Sequence, residues 1–548
     1  MLDCSAYRDN AENALFSTQI QCRRRCRESQ DKAAPFDFLQ QAYYRSGRLH
    51  FSHTMTLPIR SAAAWALCLC ALICSGCQAP SDRLTFPTAP LSRSADGWFY
   101  DVQHRGYPDL ALLPDETGKL DILAYDNGNH LLEYRYRLSN YRDQDVPHLI
   151  VLLDSIPYHA VAEHYQAGDF PWFDPPQKVI APFPAMTEVS FEALFHGPPL
   201  PGLLDYHYDR QANDTVNLVW SRVWGYLHPF ERRYDYELTY ADAGISYLDP
   251  RPWYAAEMAK IKKAVDENPG RITVAYVVGS SGMLSRYGKP GLEECLAQFQ
   301  QLCLQLLYER HGAIKISVLS DHGHNLMHSK NMPVQKTLED AGFHCVEQLH
   351  DPNDVVLELN GLVTFASMYT SQPEKVAKTM LSRPEVELAM YMDGERVIIR
   401  NATGAAAIDG REGKLRYTPI SADVLRYQPL LDHLKAAGKI NPDGFISDED
   451  WFTATVDQNW PDAPRRVWTA FHSEARNTPD VMFSIRDGDC AGAPSLVGFI
   501  DMASTHGGLN QVNSAAFVMS MTHRMNSPKR TGEVLQTLEP DLQLITHK

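Results

Sequence analysis

The sequence predicts an α/β protein built around a mostly parallel sheet. Three apolar segments are typical of strands buried on both faces of a sheet: 148–153, 272–278 and 316–319. Residues 292–307, between the second and third segments, repeat apolar side chains at helical spacing. Two of the strands end on polar residues, Asp154 after the first and Asp321-His322-Gly323 after the third. Buried strands that alternate with helices predict a layered α/β fold.

The two polar strand ends suggest a site. Ligands in open α/β sheets bind at the carboxyl ends of the strands, where Asp154, Asp321 and His322 are expected. Carboxylate oxygen and imidazole nitrogen are suitable ligands for a divalent metal. Aspartate and histidine near a turn are also common as solvated loop residues or helix caps. The pattern taken alone therefore leaves a metal site and an ordinary turn both open.

The composition excludes one class of partner. The chain has 548 residues, 44% of them hydrophobic and 22% charged, with a formal net charge of -16. This is an ordinary globular composition, whereas binding to a nucleic acid polymer depends on clustered Lys and Arg. A small anionic substrate would need a local positive charge, such as a metal ion.

The first 145 residues are predicted to precede the main domain. Residues 55–77 resemble a bacterial lipoprotein signal peptide, with a basic residue, a short apolar run and small residues before Cys77. The resemblance implies cleavage before Cys77, lipidation of its thiol and attachment to a membrane of the cell envelope, with Gln78 favouring the outer membrane. An uncleaved anchor helix is the alternative. Residues 1–54 are interpreted as sequence upstream of the natural start at Met55.

The remaining N-terminal segment, 78–145, is predicted to be a tether and a small β-rich segment. Its first part is rich in Pro, Ser and Thr, as flexible or extended linkers are. From Trp98 to Tyr141, short apolar runs are separated by turn sequences at 115–118 and 126–128. This alternation predicts a small antiparallel sheet.

The helical pattern that begins at Thr187 ends at Gly197 and Pro198. Thr187 could be a simple N-cap there. Because a helix N-terminus favours anions, its hydroxyl beside a metal could instead attack a phosphorus atom.

Four motifs in order resemble the alkaline phosphatase-like superfamily, closest to its type I phosphodiesterase and nucleotide pyrophosphatase branch. They are Asp154 at a strand end, Phe183-Pro-Ala-Met-Thr187, Asp321-His322-Gly323 and Ser504-Thr-His-Gly-Gly508. The resemblance covers 146–521 and implies a three-layer α/β/α sandwich within a domain at 146–548, with a cap insertion at about 326–480. It also implies that Asp154, Asp321 and His322 hold one zinc-like ion. Thr187 would be the nucleophile that touches this ion, and His506 would belong to a second ion.

The sequence departs from the superfamily at the second ion. Relatives carry an aspartate and, four positions later, a histidine after a strand, where this chain has Ser281 and Ser285. A serine hydroxyl is a poor ligand for a divalent cation compared with carboxylate or imidazole. The chain could use one metal, could take replacement ligands such as His324 or His159, or could have lost catalysis. Arg286 could supply charge to a phosphate or be an ordinary loop arginine.

The favoured function is therefore a metal-dependent hydrolase of small phosphate esters, with phosphodiesterase-like activity and one tightly bound ion, zinc being the expected metal. The alternative is a catalytically degenerate, lipid-anchored envelope protein that kept the fold and binds a ligand. Ser281 and Ser285 are the residues that support the alternative.

Overall fold

The computed structural model describes residues 92–94, 97–114, 120–125, 131–136, 146–268, 272–359, 361–492 and 502–540. The predicted upstream segment, signal peptide, lipidated Cys77 and tether lie outside these residues. Within the described part of the chain, no helix has both the length and the apolar character of a membrane span.

Twenty-five strands occur in the described residues. In chain order they are β1 (Ser92–Ser94), β2 (Gly97–Tyr100), β3 (Leu110–Pro114), β4 (Leu120–Tyr125), β5 (Leu131–Tyr136), β6 (His148–Leu153), β7 (Gln177–Ile180), β8 (Tyr206–Asp209), β9 (Asp214–Asn217), β10 (Ile272–Val277), β11 (Lys315–Leu319), β12 (Lys330–Asn331), β13 (His344–Cys345), β14 (Asp354–Glu358), β15 (Leu362–Val363), β16 (Phe365–Thr370), β17 (Val386–Asp393), β18 (Arg396–Asn401), β19 (Gly404–Arg411), β20 (Lys414–Pro419), β21 (Ile446–Ser447), β22 (Val481–Ile485), β23 (Asp489–Gly492), β24 (Ala515–Ser520) and β25 (Lys529–Arg530).

The α-helices of the described residues are α1 (Tyr158–Ala167), α2 (Thr187–Phe195), α3 (Val219–Val223), α4 (Tyr240–Ser246), α5 (Pro250–Glu267), α6 (Gly279–Tyr287), α7 (Lys289–Glu309), α8 (Val334–Asp340), α9 (Pro373–Met380), α10 (Gln428–Ala436), α11 (Asp448–Thr455), α12 (Ala463–His472), α13 (Gln511–Ser514) and α14 (Val534–Leu538). Two short 3₁₀ helices occupy Glu231–Arg233 and Thr531–Glu533. This content confirms the predicted α/β class.

Strands β1 to β5 form a sheet in which each strand pairs antiparallel with the next one along the chain. The connections are two to nine residues long, a length that suits antiparallel neighbours. This sheet lies in the stretch for which the sequence predicts a small antiparallel sheet.

A six-stranded sheet with the order β10-β6-β11-β24-β7-β25 positions the candidate site. Strands β10, β6 and β11 are parallel neighbours, with Leu152 of β6 opposite Tyr276 on one side and Leu319 on the other. Strand β24 runs antiparallel to β11 and β7, and β7 pairs parallel with β25. The three apolar segments that predicted parallel strands thus form three parallel neighbours in this sheet, and their carboxyl ends meet at one edge.

Both faces of strand β6 are buried. Ile150 and Leu152 lie in a core that also contains Phe191 and Leu194 of α2. Leu149, Val151 and Leu153 lie in a different core, formed largely with side chains of α5 and α7. Successive side chains of a strand point to opposite faces, so a continuous apolar run suits a strand that is covered on both sides.

A nine-stranded sheet has the order β13-β14-β16-β22-β17-β18-β19-β20-β21. All its pairings are antiparallel except that of β13 with β14. The segment predicted as an insertion, 326–480, supplies eight of these strands, and β22 enters the middle of the sheet from just beyond it. The cores on its two faces hold alternate residues, such as Met390 on one side and Tyr391 on the other.

Candidate metal centre

Two buried carboxylates and one imidazole meet where the parallel strands end. Asp154 directly follows β6, and Asp321 and His322 follow β11 after one intervening residue. Their side chains are at most 2% exposed. One ligand atom from each of the three residues lies within 4.8 Å of the other two, close enough for a single ion to bind all three.

Each carboxylate is oriented by specific donors. Asp321 Oδ1 accepts hydrogen bonds from the backbone N–H groups of Ser155 and His322, both at 2.9 Å. Asp321 Oδ2 accepts none from the described residues. Asp154 Oδ1 accepts from the Ser155 hydroxyl at 2.8 Å, and its Oδ2 accepts from the Tyr276 hydroxyl at 2.7 Å. The carboxylates are thus held in place before any ligand binds.

The imidazole of His322 presents a lone pair to these carboxylates. Its Nδ1 lies 3.0 Å from the carbonyl oxygen of Gly323, which can only accept, so Nδ1 carries the proton. Its Nε2 lies 3.2 Å from Asp321 Oδ2 and 3.9 Å from Asp154 Oδ1. Burial lowers the pKa of His322 to about 4, so the ring is neutral at pH 7.

Burial also acts on the two acids. It raises the pKa of Asp321 to about 7, and burial together with the charge of Asp321 raises the pKa of Asp154 well above its ordinary value. A neutral imidazole nitrogen facing a carboxylate oxygen brings two lone pairs together, which is unfavourable unless a proton or a metal cation lies between them. A donor set of two carboxylates and one imidazole fits a zinc-like divalent ion.

Thr187 lies beside this cluster. It is the first residue of α2, where Met186 occupies the N-cap position and no side chain caps the helix. The interpretation of Thr187 as a simple N-cap is therefore wrong. Its Oγ1 lies 3.4 Å from His322 Nε2. The first backbone N–H groups of a helix have no acceptor within it, so this helix end is suited to an anion.

Two more histidines adjoin the cluster. The ring of His506 stacks on that of His322, with centroids 4.0 Å apart and planes 20° apart. His506 Nδ1 donates to the carbonyl oxygen of Ala185 at 3.0 Å, which leaves Nε2 with its lone pair. The ring of His324 lies 5.6 Å from that of His506. Burial, with the neighbouring rings, lowers the pKa of both His324 and His506 well below the ordinary value.

Ser281 and Ser285 are buried on helix α6, one turn apart. The hydroxyl of Ser281 accepts a hydrogen bond from the Tyr247 hydroxyl at 2.9 Å, and it lies 3.2 Å from the Ser155 hydroxyl oxygen, which can accept the Ser281 proton. Since Ser155 donates to Asp154, Ser281 is linked to the carboxylate cluster through a single residue. Uncharged hydroxyl groups therefore occupy this side of the site. Arg286 is half-buried in the last turn of the same helix.

The structure brings the five predicted site residues into one cluster: Asp154, Thr187, Asp321, His322 and His506. Of the two alternative ligands, His324 joins the cluster, whereas His159 is exposed on α1. Sequence reasoning missed Tyr276 and Ser155. Their signals were available, because Ser155 follows Asp154 directly and Tyr276 lies on a strand predicted to neighbour β6.

No protein-family model matches the chain, and no curated protein matches it. Among solved structures, the chain is similar to phosphonoacetate hydrolase from Sinorhizobium meliloti 1021 in complex with phosphonoformate. The two share 12% sequence identity with a TM-score of 0.39, and the match covers 75% of this chain and 97% of that one. The complex of the same enzyme with phosphonoacetate gives 12% identity, a TM-score of 0.38 and the same coverage.

Proposed function

We propose that the chain is a metal-dependent hydrolase of small phosphate esters, with phosphodiesterase-like activity and Thr187 as its nucleophile. The observation that carries the proposal is the position of the Thr187 hydroxyl. It lies 3.4 Å from His322 Nε2, at the uncapped start of a helix and beside a buried cluster of two carboxylates and an imidazole. A nucleophile, an anion-binding helix end and a cation site are the three parts that a phosphoryl transfer requires.

Asp154, Asp321 and His322 would hold the ion, with Thr187 Oγ1 next to it. A divalent cation in this place lowers the pKa of a hydroxyl oxygen that it touches and neutralises charge on a phosphoryl group. Thr187 Oγ1 would give its proton to water and form a bond to phosphorus, while the ester oxygen leaves with its bonding electrons and takes a proton from water. A water molecule would then bond to phosphorus and break the bond from phosphorus to Thr187 Oγ1. This releases a phosphate monoester from a diester, or inorganic phosphate from a monoester, and Oγ1 takes a proton from the water to restore the hydroxyl.

The chain's own residues supply orientation. Ser155 and Tyr276 hold the carboxylate of Asp154, and two backbone N–H groups hold that of Asp321. The free N–H groups at the start of α2 would bind the phosphoryl oxygens. Preorganised donors of this kind stabilise charge that develops during the reaction.

The finer assignments belong to the same proposal. The ordered motifs support an alkaline phosphatase-like sandwich of the type I phosphodiesterase and nucleotide pyrophosphatase branch, with zinc as the metal. The resemblance of 55–77 to a lipoprotein signal supports a lipid anchor at Cys77 and a place in the bacterial cell envelope.

A second candidate function rests on helix α6. Because Ser281 and Ser285 place uncharged groups beside the cluster, the chain could bind a phosphorylated or envelope ligand without turning it over. These serines stand where relatives carry metal ligands, so an electrostatic contact to the transition state is lost. Such a loss costs on the order of a hundredfold in rate or more, and slow turnover is therefore expected even if the chain is a hydrolase.

The decisive experiment assays purified protein with zinc and aryl phosphate monoesters and diesters. We expect slow release of the aryl alcohol, which falls on the order of a thousandfold in Thr187→Ala because the nucleophile is gone. Thr187→Ser should keep part of the activity, and Asp321→Ala should lose the activity together with the ion held by the carboxylate cluster.

Elemental analysis of the same preparations gives the bound metal. Metal binding without any Thr187-dependent hydrolysis would favour the ligand-binding alternative. Hydrolysis that survives unchanged in Thr187→Ala would contradict the assigned nucleophile.

A further inference from the structure

The imidazole of His324 is buried with no hydrogen-bond partner among the described residues. The residue is 0% exposed, and neither Nδ1 nor Nε2 forms a hydrogen bond within the described part of the chain. A neutral imidazole carries one N–H donor and one lone pair, and both are costly to bury unpaired. Buried polar atoms of this kind commonly mark a bound water or ion that completes them.

The nearest suitable group is His506. Its Nδ1–H is used by the carbonyl oxygen of Ala185, so its Nε2 can offer only a lone pair while the ring is neutral. Two imidazole lone pairs suit a cation and not an anion. The ring of His506 also stacks on that of His322, whose Nε2 faces the carboxylate of Asp321 at 3.2 Å.

The ring geometry shows that His322 and His506 cannot both bind the same ion. Their planes are only 20° apart and their centroids are 4.0 Å apart, so their in-plane lone pairs run in nearly parallel planes and do not converge on one atom. His324 and His506 are different, because their planes differ by 48° and their centroids are 5.6 Å apart. Two imidazole rings on one tetrahedral ion have centres about 5 Å apart, given metal–nitrogen distances of about 2 Å.

We propose that His324 and His506 bind a second divalent cation, adjacent to the one held by Asp154, Asp321 and His322. The chain would thus replace the ligands missing at Ser281 and Ser285 with a histidine from the turn after β11. With two nitrogen ligands and no carboxylate, this site binds more weakly than the first, and it prefers zinc, cobalt, nickel or copper to magnesium or calcium. It deepens the proposed function, which itself requires only the first cation.

The test is a zinc titration of the full chain by calorimetry, with bound zinc counted by elemental analysis after equilibrium dialysis. We expect wild type to bind two ions, one tight and one weaker. His324→Leu should keep the tight ion with its affinity changed less than about threefold, while the affinity for the second ion falls at least about thirtyfold. His506→Ala should also weaken the second ion, whereas the exposed His433→Ala on α10 should bind like wild type.

Folding is checked on the metal-free proteins. Leucine fills the space of the ring and removes two unpaired nitrogens, so His324→Leu should have a melting temperature in chelator at least equal to that of wild type. Zinc should then raise the melting temperature of wild type more than that of His324→Leu.

Asp321→Ala separates this inference from the proposed function. It should lose the tight ion and keep the ion that depends on His324. A wild type with one ion only, or a second ion that His324→Leu leaves unchanged, would overturn the second site and leave the proposed function standing. Absence of the tight ion would overturn the proposed function instead.

Discussion

At the scale of single residues, the hydroxyl of Tyr276 is the least expected part of the site. It donates to Asp154 Oδ2 at 2.7 Å, and its ring packs edge-on against Phe191 with centroids 4.9 Å apart. The Ser155 hydroxyl donates to the other oxygen. Groups that orient a metal ligand tune the affinity for the metal although they never touch it.

The variant Tyr276→Phe isolates that hydroxyl. The ring stays packed on Phe191, but Asp154 Oδ2 loses its donor and the carboxylate can rotate. We expect zinc affinity, measured by competition with a chelating dye, to fall about 10- to 100-fold.

Tyr165→Phe is the matched control, because it also removes one tyrosine hydroxyl. Tyr165 lies on α1, and its hydroxyl donates to the carbonyl oxygen of Phe173. It should leave zinc affinity unchanged. Equal zinc affinity in Tyr276→Phe and wild type would show that Tyr276 does not position Asp154.

At the scale of elements, the turn after β11 is fixed by close contact with α13. A Cβ atom on Gly323 would lie 2.1 Å from the carbonyl oxygen of Val512 and 3.1 Å from that of Ala515. The Gly323 N–H also donates to the carbonyl oxygen of Asn513 at 2.9 Å. The glycine is required here because the two backbones approach closely. His322 and His324 are its neighbours in the chain, so the same contact fixes the backbone of both histidines.

Gly323→Ala should therefore displace the turn. We expect a loss of about 1–3 kcal/mol in the free energy of unfolding, measured by urea denaturation, because backbone atoms must move to accept the methyl group. Zinc affinity should fall with it, since two histidines and Asp321 share the turn.

Gly244→Ala provides the comparison. This glycine lies in helix α4, and a Cβ there would meet nothing within 4 Å. The substitution should leave the free energy of unfolding unchanged or raise it by less than about 1 kcal/mol. A Gly323→Ala variant as stable as Gly244→Ala would contradict the close contact.

At the scale of the whole molecule, the nine-stranded sheet buries an acidic side chain whose titration should change the free energy of unfolding. Glu358 is 1% exposed on β14, and only its Oε2 has a hydrogen bond, from the Ser367 hydroxyl, among the described residues. Burial raises its pKa to about 8. In the unfolded chain a glutamate has a pKa of about 4.3.

The sign of the effect follows from these pKa values. Between pH about 4.3 and about 8 the folded state keeps the proton of Glu358 and the unfolded state has lost it. The contribution of the Glu358 proton to the free energy of unfolding is therefore fully present below the pKa of the unfolded state. It is lost as pH rises through the pKa of the folded state. Glu358→Gln removes this titration while keeping an acceptor for Ser367.

We expect wild type to lose on the order of 3 kcal/mol relative to Glu358→Gln between pH about 5 and about 9, measured by urea denaturation across that range. The exposed Glu395→Gln should follow the wild-type curve. Parallel curves for wild type and Glu358→Gln would contradict the raised pKa.

The sequence alone determined the elements around the site. The apolar runs became β6, β10 and β11, and the helix predicted to start at Thr187 starts there. These predictions hold because burial on two faces requires a continuous apolar run, and because turn and helix-start residues act over a few positions. The approach of Asp154, Thr187, Asp321, His322 and His506 was also predicted, from the ordered motifs.

The surroundings of that cluster depend on how distant elements pack together. The segment with Ser281 and Ser285 is a helix, His324 and not His159 adjoins His506, and Tyr276 holds Asp154. A strand from beyond the predicted insertion also lies at the centre of the nine-stranded sheet. Local sequence sets periodicity and turns, whereas contacts between residues more than a hundred positions apart depend on how the elements pack, and no local pattern encodes that packing.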